Sequence, residues 1–556
     1  MSKVTAGATG GMTMSERRRV DPDWWRGAVI YQVYPRSYAD SNGDGVGDLK
    51  GVTEKLDHIA SLGVDAVWLS PFFTSPMDDF GYDVSDYCDV DPMFGTLADF
   101  DALVKRADEL GLGIIIDLVL SHTSDQHPWF KESRRSRDNP KADWYVWAEP
   151  KEDGTVPNNW LSIFGGPAWE WNAGRRQYFM HNFLTSQPDL NFHNPAVQDA
   201  LLDVARFWLD RGVAGFRLDT VNFYFCDAEL RDNPPAPKDH FVATVQDSNP
   251  YARQLHYYDK SRPENLVFLS RLRTVMDRYP GTTSVGELGT DENLYEMMDA
   301  YTETGKRLHM AYSFELLSAK NTAEHVRRSV TAMLDGAPHG WPSWALSNHD
   351  FTRVVTRWGH EADAARFGPL GVALVTSLKG TACVYQGEEL ALTEAEVPFE
   401  ALQDPYGIRF WPDFKGRDGC RTPMVWSDND PTGGFSAGKP WLPVPDRHLT
   451  MSVARQELDP TSPLHTVRRF LNWRRTQAAL RDGDLTFLAP AGEIVAFERR
   501  LGADRIVCAF NLAATPAHLA LPSPATPLAG HGFEATATLA GQTVELSGFG
   551  VWFGKL

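Results

Sequence analysis

The sequence predicts an α/β protein built on a (β/α)8 barrel of the TIM type, with a long insertion after the third strand and a small antiparallel β-domain at the C-terminus. Three observations lead there. From residue 27 onward, eight short apolar runs alternate with longer helical patterns. The connection between the third and fourth runs is far longer than a barrel loop needs. After the helix at 463–480 the pattern changes to period-two alternation.

The predicted strands are 27–35 (GAVIYQVYP), 66–71 (AVWLSP), 113–121 (GIIIDLVLS), 215–219 (GFRLD), 283–288 (TSVGEL), 309–315 (HMAYSFE), 344–350 (WALSNHD) and 381–386 (TACVYQ). Amphipathic stretches such as 52–62, 97–110, 194–211 and 362–379 separate them, several ending at a glycine suited to a helix C-cap. Residues 122–190, rich in Trp, Asn, Gly and Pro, are long enough for an inserted subdomain between barrel segments 23–121 and 191–481. Residues 222–266, with Asn-Pro-Pro, many charges and Tyr257-Tyr258, read as a lid or rim. The runs DLTFLA, EIVAFERR, RIVCAFNL, TVEL and GVWFG make 482–556 the β-domain. Residues 1–22 have no apolar core and carry Glu16-Arg17-Arg18-Arg19; they are expected to be a disordered leader, neither signal nor anchor.

Bulk properties exclude some functions. A net charge of −19 repels nucleic acid and anionic membranes. No run approaches 18 apolar residues, so no membrane span is expected. Five scattered cysteines without metal spacing read as free thiols of a reducing compartment, which makes the cytoplasm the simplest location. The 18 tryptophans offer flat faces that suit sugar rings, although many must be core.

In such a barrel the chemistry sits at the C-terminal strand ends. Here these ends carry Ser121-His122, Arg217-Leu218-Asp219, Gly286-Glu287 and Asn348-His349-Asp350. A single strand-end carboxylate is readily a helix cap or surface charge; three on different strands facing one mouth are not explained by packing. Arg217 and Asp219, two apart on a strand, point to one side, so the guanidinium is expected to keep Asp219 ionised with a low pKa, as a nucleophile requires. Glu287 has no basic neighbour in sequence and follows an apolar run, so its pKa is expected to rise toward that of a general acid. Such a split pair is what glycoside hydrolysis uses, with Asp350 as a third anion.

GFRLDTVNF, VGEL and SNHD, with DLVLSH upstream, resemble the four signature segments of the α-amylase superfamily, glycoside hydrolase family 13; QPDLNF at 187–192 resembles the fifth segment of its oligo-1,6-glucosidase and α-glucosidase branch. The resemblance runs from about Trp24 to the C-terminus. It implies a B-domain at 122–190, a C-terminal β-sandwich, no organic cofactor, and retention through a β-glycosyl-enzyme on Asp219 with Glu287 as acid/base. It further implies that Asp79 and Tyr82 in DDFGYD hold the non-reducing glucose, with Arg417 in GRDGCRTPM pairing with Asp79 to close the pocket behind one sugar unit. His122, Arg217 and His349 would hydrogen-bond the same ring, while Phe164, Phe183 and Gln187 would line the mouth. Thr220, directly after the nucleophile, resembles a linkage discriminator in which Thr goes with α-1,4 and Val with α-1,6; it could equally be a β-branched strand residue. On the strand its side chain is expected to point away from that of Asp219, yet to border the reacting pocket where the strand bends into its loop. Expected substrates are maltose and short oligosaccharides, with sucrose among the alternatives.

Asp40, Asn42, Asp44 and Asp48 place oxygen side chains at every second or fourth residue of a glycine-rich loop, with the Val46 carbonyl as a further oxygen, a set that suits a hard cation. Similar loops in related glucosidases bind structural Ca2+, Mg2+ being the alternative; a metal-free Asp/Gly turn is the competing reading. Two other activities stay open: glucosyl transfer to alcohols or sugars, and a non-catalytic binding subunit, although the carboxylates such relatives lose are all present. Oligomeric state is not legible.

Overall fold

The structure, a computed structural model, describes residues 12–238, 240, 245, 248–289 and 293–556. Eight parallel strands form its centre: β1 (Val29–Val33), β2 (Ala66–Leu69), β3 (Gly113–Leu118), β4 (Gly215–Leu218), β5 (Thr283–Glu287), β6 (Met310–Tyr312), β7 (Ser343–Ala345) and β8 (Thr381–Tyr385). They pair in chain order, and β8 returns to β1 with Val29 opposite Ala382. A single parallel bridge, Ala311 to Pro342, spans the seam between β6 and β7.

Period-two alternation decides which side chains fill the barrel. Ile30, Ala66, Trp68, Ile115, Val285 and Met310 belong to one buried cluster inside it. Their strand neighbours Val29, Tyr31, Val67, Leu69, Ile114 and Ile116 belong to another, packed under the surrounding helices. The strands are shorter than the sequence predicts because their last residues turn into loops. After β7 the Asn348 side chain accepts from the Asp350 and Phe351 N–H groups at 2.8 and 3.1 Å, which replaces the ladder with a turn.

Within 122–190 lies a three-stranded sheet (Trp147–Ala148, Trp169–Asn172, Gln177–Met180). At the C-terminus a five-stranded and a three-stranded antiparallel sheet pack face to face. Ile494, Val507 and Trp552 meet Leu519 and Val544 across the sandwich. The alternate residues Phe497, Cys508 and Phe553 join the core shared with Phe470 of the helix Pro463–Arg475. The described part of 222–266, the segment expected to be a lid or rim, holds a 3-10 turn at Pro250–Arg253; positions 239, 241–244 and 246–247 lie outside the described residues.

The expected disordered leader needs correction. Met14–Val20 is a helix with a Thr13/Glu16 capping box. Met14 is buried, Arg17 pairs with Asp65 at 2.8 Å, and the Ser15 N–H donates to Asp108 at 2.6 Å. One buried methionine and two polar anchors suffice to order a short segment that a search for a long apolar stripe overlooks. Residues 1–11 of that leader lie outside the described residues.

Gly215 shows how tightly β4 and β5 are held. A Cβ there would lie 2.0 Å from the Thr283 carbonyl oxygen. Gly215→Ala is therefore expected to force the two strands apart, lowering the melting temperature, and to cost about a hundredfold in activity, because Asp219 and Glu287 follow directly from these strands. Thermal unfolding and activity assays check this; a variant that matches wild type in both would show that the strands separate freely.

Candidate active site

Adjacent strands deliver the candidate reacting groups in register. Asp117 on β3 lies opposite Arg217 on β4, and Glu287 on β5 lies opposite Tyr312 on β6. One guanidinium, 1% exposed, collects them. Nη1 of Arg217 lies 2.9 Å from Asp117 Oδ1 and 2.5 Å from Asp219 Oδ1; Nη2 lies 2.5 Å from Glu287 Oε1 and 2.9 Å from the Tyr312 hydroxyl. Glu287 also accepts from Tyr312 at 2.9 Å and from the Thr220 N–H at 3.2 Å.

Burial shifts both candidate carboxylates upward. Glu287 rises to about 7, with Arg217 opposing the rise. Asp219 rises to about 6, because burial and the nearby Asp117 outweigh the pull of Arg217. Two sequence expectations are thereby corrected. Asp219 is not held low by its arginine, which is shared among three buried carboxylates. Glu287 does have a basic neighbour, the same Arg217, brought across from another strand.

For Thr220 the strand geometry is corrected, while the residue does border the pocket. It sits in the left-handed region (φ 40°, ψ 47°), so strand alternation ends at Leu218. Its hydroxyl donates to Asp219 Oδ2 at 3.2 Å and lies 3.0 Å from Ser121 Oγ, alongside the nucleophile candidate rather than pointing away from it.

A second arginine organises the far side. Arg417 Nη2 lies 2.8 Å from Asp79 Oδ1 and 2.7 Å from Asp404 Oδ1, and Nη1 lies 3.4 Å from Asp350 Oδ1. Arg421 bonds Asp350 at 2.8 Å and the His349 carbonyl at 2.7 Å. Although burial alone would raise Asp350, His349, Arg421 and Arg417 together hold it well below the usual carboxylate range. Burial pushes His349 down to about 3, so it is neutral and the arginines supply the lasting charge. Gln32 donates to His349 Nδ1 at 2.8 Å, which leaves Nε2–H for Asp350 at 3.2 Å and Tyr82 at 2.5 Å. His122, pushed down to about 4 by burial, is likewise neutral and donates to the Tyr82 carbonyl at 2.9 Å.

Asp79, Tyr82, His122, Phe164, Phe183, Asp219, Thr220, Glu287, Asp350 and Arg417 line one cavity of about 270 Å3, at the small end of ligand pockets (about 300–1,000 Å3). Arg217, His349 and Gln187 stand behind it, Gln187 donating to Asp79 at 3.2 Å. Phe164 stacks on Tyr406 at 4.9 Å and meets Phe183 edge-on at 5.8 Å. Asp117, Tyr312, Asp404 and Arg421 were not singled out from sequence. Asp117 carried a signal, a carboxylate inside the apolar run GIIIDL, and Arg421 lies in the motif GRDGCRTPM quoted for Arg417.

The 40–48 loop lies outside this pocket. Asp40 Oδ1 accepts from the Asn42 and Gly43 N–H groups, Asn42 from Asp44, and Asp44 from Val46. Asp48 caps the helix Leu49–Glu54 by accepting from Gly51 at 2.6 Å. Among the described residues, no group of three or more His, Cys, Asp or Glu side chains is gathered as a metal centre.

A closed eight-stranded barrel with buried carboxylates at its strand ends, facing a pocket of sugar size, defines a barrel-type glycoside hydrolase. The chain belongs to the α-amylase family, whose catalytic domain matches residues 32–483. It is 56% identical over 557 residues to a probable α-glucosidase of Rhizobium meliloti (strain 1021), covering 98% of this chain and all of that one. It is 36% identical to the oligo-1,6-glucosidase of Parageobacillus thermoglucosidasius over 88% of this chain and 90% of that one. The crystal structure of the α-glucosyl transfer enzyme XgtA superposes with a TM-score of 0.94 at 55% identity, covering 96% of this chain and 99% of that one.

The two shifted carboxylates set a pH dependence. A nucleophile must be ionised, above about 6 for Asp219, and an acid protonated, below about 7 for Glu287. The kcat/KM profile is expected to be a bell between those limbs. In Glu287→Gln the basic limb should vanish, and disaccharides should slow at least a hundredfold (an order-of-magnitude figure) relative to aryl glucosides with good leaving groups. Azide should then rescue the aryl substrate as α-glucosyl azide. A basic limb that persists in the variant would remove Glu287 from this role.

Proposed function

We propose that the chain is a retaining, exo-acting α-glucosidase that releases glucose from the non-reducing end of short α-glucosides, maltose-type α-1,4 substrates foremost. The observation that carries this reading is the pair Asp219 and Glu287 on one guanidinium at a pocket that the Arg417–Asp79 pair bounds. Two carboxylates held by adjacent nitrogens of one group favour the short spacing of retaining enzymes (about 5–5.5 Å) over the 6.5–9.5 Å of inverting ones.

In the first step Asp219 attacks C1, the glycosidic C–O bond breaks, and the Glu287 proton passes to the leaving oxygen. In the second, Glu287 takes a proton from water as the water oxygen displaces Asp219 and restores the α-configuration. Asp350, kept ionised between Arg421 and Arg417, offsets positive charge developing on the sugar. An acceptor hydroxyl in place of water gives transfer, a second activity supported by the likeness to an α-glucosyl transfer enzyme. Five free cysteines, four of them buried, suit a reducing compartment such as the cytoplasm.

Linkage preference rests on Thr220, whose hydroxyl bonds Asp219. Valine keeps the shape and loses that bond, a change worth about 1–3 kcal/mol between substrates. Assays on maltose, isomaltose, sucrose and trehalose, with product chromatography, are expected to show higher kcat/KM on maltose than on isomaltose. Thr220→Val should raise the isomaltose-to-maltose ratio about tenfold. A fluorinated glucosyl donor should label Asp219. No glucose from any of the four sugars, or a label elsewhere, would defeat the reading; an unmoved ratio would place linkage choice on other residues.

A structural Ca2+, with Mg2+ the smaller alternative, is proposed at Asp40, Asn42, Asp44 and Asp48 with the Val46 carbonyl. The donors are all hard oxygens, and Asn42 and Asp44 each bond the N–H two residues on, which curls the loop. Because such a cation binds only the folded loop, chelation should lower the melting temperature by several degrees. Unchanged melting in excess chelator, with no metal by elemental analysis, would leave the loop a plain turn.

A further inference from the structure

Part of the pocket wall that the barrel strands do not supply comes from the connections after β4 and β5. Phe223, Tyr251, Lys260 and Gly289 line the same cavity as the reacting carboxylates. Lys260 is 3% exposed, and its ammonium lies 5.1 Å from the Phe223 ring centroid. A Cβ on Gly289 would sit 3.6 Å from Nζ, so the amine stands between the turn after Asp219 and the turn after Glu287.

The segment carrying Lys260 is held on both sides. The Ser261 N–H donates to the Asn222 carbonyl at 2.6 Å, and the Asn222 amide donates to Ser261 Oγ at 2.9 Å. Gly289 N–H donates to Asn222 Oδ1 at 3.4 Å, linking the same asparagine to the end of β5. Upstream, Tyr251 stacks on His256 with ring centroids 3.6 Å apart and 14° between planes. His256 Nδ1 lies 2.6 Å from Asp259 Oδ2, and its Nε2 lies 2.9 Å from the Tyr251 carbonyl oxygen. The lysine is thus presented by a buried framework rather than by a free loop.

The proposed glucose site already has its own polar lining in Asp79, His122, Asp350 and Arg417. A lysine brought in by the lid serves the other partner. We infer that Lys260 is the specificity residue for the aglycone, its ammonium donating hydrogen bonds to hydroxyl oxygens of the leaving or accepting sugar between the aromatic faces of Phe223 and Tyr251. Polyhydroxylated aglycones are thereby selected over aryl groups and simple alcohols, which offer fewer acceptors to a buried cation. This rests on the glucosidase reading above.

The test compares two donors on the same full-length preparation, maltose and 4-nitrophenyl α-glucoside, in wild type, Lys260→Met and Lys260→Arg. Loss of a hydrogen bond from a charged donor should lower the maltose-to-aryl ratio of kcat/KM tenfold or more (roughly) in Lys260→Met. The maltose concentration giving half-maximal transfer from the aryl donor should rise by a similar factor, and Lys260→Arg should recover most of both. Lys260→Gln, closer in polarity, serves if the methionine variant does not fold. A donor ratio within about twofold of wild type, whether both substrates fall together or neither changes, would overturn the assignment. Failure of the underlying reading looks different: wild type would release glucose from neither donor.

Discussion

The Arg217 guanidinium is the constraint on which the rest of the site depends. It is buried with three carboxylates and a tyrosine that arrive from four consecutive strands. One positive charge cannot balance three negative ones away from water, so protons are retained in the cluster, and Asp117, Asp219 and Glu287 all rise. That shared shortage of positive charge keeps a proton available for an acid while a neighbouring carboxylate ionises near neutrality. Removing one partner from such a buried cluster costs about 3–5 kcal/mol, which also ties the chemistry to the integrity of the barrel.

Arg417 does the opposite job. With Arg421 beside it, the positive charge around Asp350 is ample, and Asp350 stays ionised. Two arginine-centred clusters therefore place three carboxylates in distinct electrostatic settings within one cavity. The buried histidines between them are neutral, so they orient hydrogen bonds rather than add charge. Phe164 and Phe183 of the insertion, Phe223 after β4, and Tyr406 and Phe414 then supply the aromatic walls that the barrel ends lack.

Much of this was legible along the chain because strand ends in a barrel converge by geometry. Asp219, Glu287 and Asp350 could be picked out once eight runs were counted, and short motifs added Asp79, His122 and Arg417. Asp404 gave no such signal, since it lies in a connection whose path no periodicity reports, and Arg421, although inside the motif that carries Arg417, is brought to Asp350 only by the fold. The helix at Met14–Val20 had a local start signal in the Thr13/Glu16 capping box, but its anchors, Asp65 and Asp108, are far away in sequence.

The alternation that separates lumen from shell, the order of the eight strands and the residue types at their ends are all local properties of the chain. These follow from local periodicity and from the parallel connectivity it enforces. The sign of the Asp219 shift, the basic neighbour of Glu287, the direction of the Thr220 hydroxyl and the place of Lys260 emerge with the folded arrangement. Each depends on burial and on charges brought together across strands, and electrostatic energy in a buried site is set by distance in space rather than along the chain.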